Sequence, residues 1–219
     1  MEYIHFLLEL LTHTKAVLLQ LFQEHGNFIY VILFLIIFVE TGLVIMPFLP
    51  GDSLLFTAGL LCAQPTGISI FILIPLLILA AILGDNVNYF VGKYFSEHVL
   101  KWKFRNKPLV NPEWINEVHR YFEKHGTKTI IIARFIPIVR TVTPFVSGVG
   151  RMDYKTFLPY DIFGGVLWVG SVTIVGYFLG NIPFVEQNLE KFILGIVFLS
   201  VLPIVVKAIQ VKFNNNKQS

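Results

Sequence analysis

Glu40-Thr41-Gly42-Leu43-Val44-Ile45-Met46-Pro47-Phe48-Leu49-Pro50-Gly51-Asp52 sets two carboxylates around a Pro-x-x-Pro-Gly break inside an otherwise apolar stretch. Downstream, Ala133-Arg134-Phe135-Ile136-Pro137-Ile138-Val139-Arg140 repeats the arrangement with the opposite charge, two arginines around one proline. An ionisable side chain at bilayer depth costs about 2.5 to 3.5 kcal/mol on insertion scales, so its presence there points to function. Proline lacks a backbone N–H and clashes with the preceding turn, so a regular helix does not run unbroken through Pro47, Pro50 and Gly51, or through Pro137. Together the two stretches predict a membrane protein built around a charged, proline-broken centre.

Composition supports that class. Of 219 residues, 55% are hydrophobic, 14% are charged and 21 are Phe, and the mean hydropathy is +0.69. A soluble domain of this length is far more polar. No charged residue occurs from Ser53 to Gly84 or from Ile162 to Val185, and Phe192 to Val206 is a third apolar run. About 20 apolar residues cross a bilayer core, so the latter two read as single spans. Ser53 to Gly84 is too long for one, and Gln64-Pro65-Thr66-Gly67 divides it into a short arm and a span starting near Ile68.

Outward from the broken centre, the chain reads as one integral-membrane domain over 1–219. Its parts are an amphipathic helix over 1–26, a broken re-entrant segment over 28–63, a span over 68–92, and a basic loop over 93–128. A second re-entrant segment over 129–150, spans over 156–180 and 191–208, and a basic polar tail over 209–219 complete it. In the first helix Glu2, Glu9, His13, Gln20 and Glu24 recur at steps of seven and four, drawing one polar stripe that Gly26 ends. Glu2 and Glu9 replace the basic start of a signal peptide, so the N-terminus is expected to stay on the mature protein. Within the loop, Asn111-Pro112 opens a predicted interfacial helix with Trp114, Val118, Tyr121 and Phe122 on one face.

Charge sets the orientation. Residues 93–128 carry eight Lys and Arg against four Glu, a net +4, and the tail adds Lys207, Lys212 and Lys217 without an acid. The positive-inside rule then places the central loop and the C-terminus in the cytoplasm. With those sides set, each broken segment enters and leaves on its own face of the membrane, giving two opposed re-entrant hairpins. The expected fold is an all-α, polytopic helical bundle with these hairpins in a pseudo-inverted repeat. Pro47 to Asp52 and a span closing on Gly92-Lys93-Tyr94-Phe95 are echoed by Phe135-Ile136-Pro137 and a span closing on Gly176-Tyr177-Phe178-Leu179-Gly180.

The hairpin breaks, Pro47, Pro50, Gly51 and Pro137, decide whether the charges meet. In an unbroken helix Glu40 and Asp52 would stand about 18 Å apart at about 1.5 Å per residue, whereas a hairpin brings them together. Arg134 and Arg140 would project to different sides of a regular helix, and a break at Pro137 lets both turn toward one cavity. Two guanidiniums offer planar paired donors suited to phosphate. Glu40 and Asp52 would pair with them or carry protons. The plainer structural reading makes all four an ion-pair glue, with Asp52 capping the helix begun by Ser53.

At these residues the chain closely resembles the bacterial DedA family, also called the VTT or SNARE-associated Golgi protein family. The resemblance spans nearly the whole chain and is carried by Phe38-Val39-Glu40-Thr41-Gly42, Pro47-Phe48-Leu49-Pro50-Gly51-Asp52-Ser53-Leu54-Leu55, Gly84-Asp85-Asn86-Val87-Asn88-Tyr89 and Ala133 to Arg140. It implies a lipid transporter of the bacterial cytoplasmic (inner) membrane, several relatives being linked to return of the carrier lipid undecaprenyl phosphate to the inner leaflet. By matching position it places the functional residues at Glu40, Asp52, Arg134 and Arg140. Asp85 and Tyr89, one helical turn apart, are secondary candidates, and Asp161 reads as an interfacial cap beside Pro159 and Tyr160.

Other functions compete. A proton-coupled small-solute or ion antiporter would use the same buried charges. A lipid phosphatase would need a nucleophile or metal set, yet His5, His13, His25, His98, His119 and His125 all lie in the terminal helix or central loop. Single Cys62 reads as a packed thiol. The chain has no nucleotide-binding loop. No enzyme activity, metal, cofactor or nucleic-acid partner is therefore expected. The expected partners are a membrane lipid, either a polyprenyl phosphate or a phospholipid, and protons, with room for a homo-oligomer.

Overall fold

A computed structural model of the chain describes residues 16–18, 20–21, 26–42, 51–101, 103–104, 107–108, 127–180 and 182. The expected span over 191–208, the basic tail, the interfacial helix after Pro112, most of the N-terminal helix, and the breaks at Pro47 and Pro50 lie outside the described residues. What is described is helical apart from a two-residue antiparallel pairing of β1 (Lys103–Phe104) with β2 (Lys107–Pro108). A short 3-10 turn, Gly26–Phe28, leads into α1 (Ile29–Gly42). Then come α2 (Gly51–Ala63), α3 (Ile70–Lys101), α4 (Thr129–Ala133), α5 (Pro137–Val149) and α6 (Tyr154–Gly180).

Two helices are long and apolar enough to cross a membrane, Ile70–Tyr94 within α3 and all of α6. In each, only a third of the most apolar window is covered by protein. A soluble core helix would bury that surface; here Phe71 is 87% exposed and Phe178 68%, side chains that water would penalise and lipid accepts. Helix α3 also continues to Lys101, past the apolar run that ends near Gly92.

Helical periodicity explains which charges are buried. On α1, Ile29, Leu33 and Ile37 recur every fourth residue on the core face, and Glu40 and Thr41 continue that stripe. Val31 and Leu35 point outward. On α3 the inward stripe runs Leu73, Leu77, Ala81, Asp85, Tyr89; on α6 it runs Phe157, Asp161, Gly165, Trp168. A charge on such a stripe is carried into the interior by its apolar neighbours, and it persists there only if paired.

Close crossings hold the bundle. Helix α2 packs along α6, and α5 packs along α3, through glycines set against backbone. A side chain at Gly59 would strike the Thr173 carbonyl, and one at Gly176 the Phe56 carbonyl. In the other pair, Gly148 lies on the Tyr89 carbonyl and Gly92 on that of Phe145. Small residues let membrane helices approach to backbone contact, where dispersion replaces the missing hydrophobic drive. Asn88 ties three helices at one point, its Nδ2 donating to the Thr41 carbonyl at 3.2 Å and the Thr141 carbonyl at 2.7 Å.

Candidate functional site

The second broken stretch opens as a true interruption. α4 ends at Ala133, Arg134 and Phe135 form a turn, and Ile136 is extended (φ −114°, ψ 109°) before Pro137 starts α5. Proline disfavours a helical conformation in the residue before it, which accounts for Ile136. Arg134 thus sits in the turn and Arg140 on α5.

On the sequence alone a break at Pro137 lets both arginines turn toward one cavity; in the fold each arginine has its own pair of carboxylates. Arg140 donates from Nη2 to Glu40 Oε1 at 2.5 Å and from Nη1 to Asp52 Oδ1 at 2.7 Å. Arg134 donates from Nη2 to both Asp85 Oδ2 and Asp161 Oδ1, the latter at 2.5 Å. Each guanidinium is thus held by one acid from α1 or α3 and a second from α2 or α6.

Asp161 is the main correction to the sequence reading. It caps nothing at an interface; its exposure is 0%, and it is half of the carboxylate pair on Arg134. Asp85, a secondary candidate, is its counterpart. Tyr89 is not part of either cluster. Its hydroxyl donates to the Met152 carbonyl and its ring stacks on Phe157, centroids 4.6 Å apart, so it braces α3 against the start of α6. Asp52 is the second residue of α2, and its carboxylate is bonded to Arg140 and Trp168.

Trp168 was not singled out in the sequence. Its Nε1 donates to Asp52 Oδ1 at 2.8 Å, and the Arg140 guanidinium lies over its ring, 4.4 Å from the centroid. Cation–π contact of this kind is worth about 2 kcal/mol when desolvated. A lone Trp in an apolar span carries no mark of that role. Gly164 is a better clue, because a Cβ there would come within 2.8 Å of Arg134 Cδ.

The clusters differ in access. Glu40 is 1% exposed, whereas the Asp52 side chain keeps 21%. Among the described residues, buried Glu40 Oε2 and Arg140 Nε have no hydrogen-bond partner. An incompletely satisfied group around a guanidinium is suited to exchanging partners, because an incoming anion finds donors already desolvated. Gly51, the first residue of α2, lies against the Glu40 carboxylate, where no Cβ fits. Gly51→Ala is expected to leave α2 helical, since alanine favours helix, while pushing Glu40 off Arg140. Losing a hydrogen bond to a charged group costs about 1.5 to 3 kcal/mol. That loss should be read as a drop of the same size in folding stability, measured by thermal unfolding of the purified protein in detergent.

Among the described residues no group of three His, Cys, Asp or Glu is arranged to hold a metal. The arrangement defines a class: a helical membrane protein with buried arginines, each bridging two carboxylates at or beside a helix break. The VTT domain model matches residues 49–178. The chain is 46% identical to Protein DedA of Escherichia coli over 213 residues, covering 97% of this chain and 96% of that one. It is 47% identical over 178 residues to an uncharacterized membrane protein of Mycobacterium tuberculosis, covering 81% and 77%. With inner membrane protein YqjA of E. coli it shares 36% over 185 residues, covering 80% and 81%. No solved structure matches. The chain belongs to the VTT-domain, or DedA, family.

Proposed function

We propose that this protein is a lipid transporter, a flippase that moves a phosphate-bearing lipid across the bacterial inner membrane, with undecaprenyl phosphate as substrate. The observation that carries the reading is the Arg140 group: a buried guanidinium, stacked on Trp168 and held by two carboxylates, of which Asp52 is partly exposed. A lipid phosphate presents the same planar pair of oxygens that Glu40 and Asp52 present, so it can take their place on Arg140. Arg134 would receive it next, with Asp85 and Asp161 as the ligands it displaces.

Displacement has a charge requirement. A carboxylate released from its arginine inside the membrane is an unpaired buried charge unless it takes up a proton. Phosphate and protons therefore enter together, and a proton gradient drives the lipid in the direction the protons fall. Glu40 and Asp52 are the proton carriers in this scheme. No enzymatic step, cofactor or nucleic acid enters it.

Two opposed re-entrant hairpins in an inverted repeat would supply the alternating access. Supporting this, Gly148 stands 89 positions after Gly59 and Phe145 stands 89 after Phe56, while Gly176 stands 84 after Gly92 and Thr173 stands 84 after Tyr89. The second arm of each hairpin thus crosses the span of the opposite half through equivalent positions, as an inverted repeat requires. The names of E. coli relatives as inner membrane proteins support the location. The positive loop over 93–128 supports a multi-pass topology with a cytoplasmic C-terminus.

The test is flux in proteoliposomes under an imposed pH gradient, following undecaprenyl phosphate between leaflets beside soluble phosphate and sodium inside the lumen. Lipid movement without solute movement supports the proposal. Solute exchange without lipid movement replaces it with the antiporter, which the uncovered apolar faces of α3 and α6 do not favour.

A further inference from the structure

The Arg134 group differs from the Arg140 group in being dry throughout. Asp85, Asp161 and Arg134 are all buried, whereas Asp52 keeps contact with solvent. Both aspartates bond the same nitrogen, Arg134 Nη2, which sets their carboxyls side by side. Two ionised acids on one guanidinium leave a net charge of −1 on a buried group. Asp161 Oδ2 is buried and has no donor facing it. The other charges nearby do not cancel the excess: Arg140 is already held by Glu40 and Asp52. Paired carboxylates in such a site share one proton, because both cannot be ionised at that separation.

We propose that Asp85 and Asp161 form a proton-binding site of their own, one proton shared between them beside Arg134, separate from the Glu40–Asp52 pair. The proton sits on Asp161 Oδ2 and is donated to Asp85, which supplies the missing partner and makes the group neutral. A metal cation is excluded from the same place because Arg134 Nη2 already occupies the point between the two carboxylates. When the proton leaves, Asp161 and Asp85 repel across Arg134, and the link that Arg134 makes between α3 and α6 loosens. This goes beyond the lipid reading and holds whatever species is carried.

The chain has four aspartates, Asp52, Asp85, Asp153 and Asp161, so carbon-13 labelling of aspartate isolates their infrared carboxyl signals in the full-length protein in liposomes. The expected result is a protonated aspartic acid band at neutral pH that bleaches as pH rises and is absent from both Asp161→Asn and Asp85→Asn. Thermal stability gives a second readout. A proton held only by the folded chain makes stability fall with rising pH, by a tenfold change in the folded-to-unfolded ratio per pH unit, and Asp161→Asn should remove that slope. A labelled intact protein with no such band, or a band and slope that survive in Asp161→Asn, overturns the site. Neither readout depends on transport, so failure of the lipid assay leaves this result standing.

Discussion

Arg140→Gln is expected to abolish transport and to lower stability by about 3 to 5 kcal/mol, the usual result of removing one partner from a buried ion pair. Glu40 and Asp52 would be left facing each other with Trp168 Nε1 as the remaining donor to Asp52. Arg140→Lys should also fail, because an ammonium is a point charge that cannot bridge both acids in plane while stacking on the indole. The double variant Arg140→Gln with Glu40→Gln separates structure from function. Removing the orphaned acid should restore most of the lost stability, read by thermal unfolding in detergent. It should not restore transport, since the first guanidinium offered to the anion is gone and Arg134 stays bonded to Asp85 and Asp161. Recovery of both would reduce the group to an ion-pair brace.

Gly59→Leu and Gly148→Leu are the second pair of large effects. At each position a Cβ meets the backbone of the facing helix, the Thr173 carbonyl for Gly59 and the Tyr89 carbonyl for Gly148. Backbone cannot rotate away as a side chain can. Overpacking a core costs about 1 to 3 kcal/mol where side chains yield, and these sites should exceed that, giving loss of folded protein on size-exclusion chromatography. Gly170 has open space around it, so Gly170→Leu is the control that should remain folded. Equal tolerance at all three positions would contradict the crossings.

The contrast between these residues shows what a sequence can carry. Membrane class, the charged centre and the interruption at Pro137 were legible, because an arginine in an apolar run and a proline after it act on their own local chain. Pairing was not. Arg134 and Arg140 are six residues apart, yet the extended Ile136 sends them to different carboxylates. Asp161 carried the same signal as Asp85, a lone acid on an apolar span, but Pro159 beside it suggested a helix end. In the folded chain Pro159 lies inside α6, in its second turn, and the helix runs on through it. Trp168 and the crossing glycines acquire their roles only from helices far away in sequence, so local pattern holds no trace of them.

The most direct measurement compares undecaprenyl phosphate with undecaprenol in the same proteoliposomes, for the wild-type chain and for Arg140→Gln. The two lipids share the polyprenyl chain and differ in the phosphate. If buried guanidiniums recognise the headgroup, the wild type moves undecaprenyl phosphate between leaflets, leaves undecaprenol near the rate of empty vesicles, and loses its activity with Arg140. Equal movement of both lipids, or movement of undecaprenyl phosphate undiminished in folded Arg140→Gln protein, would contradict it.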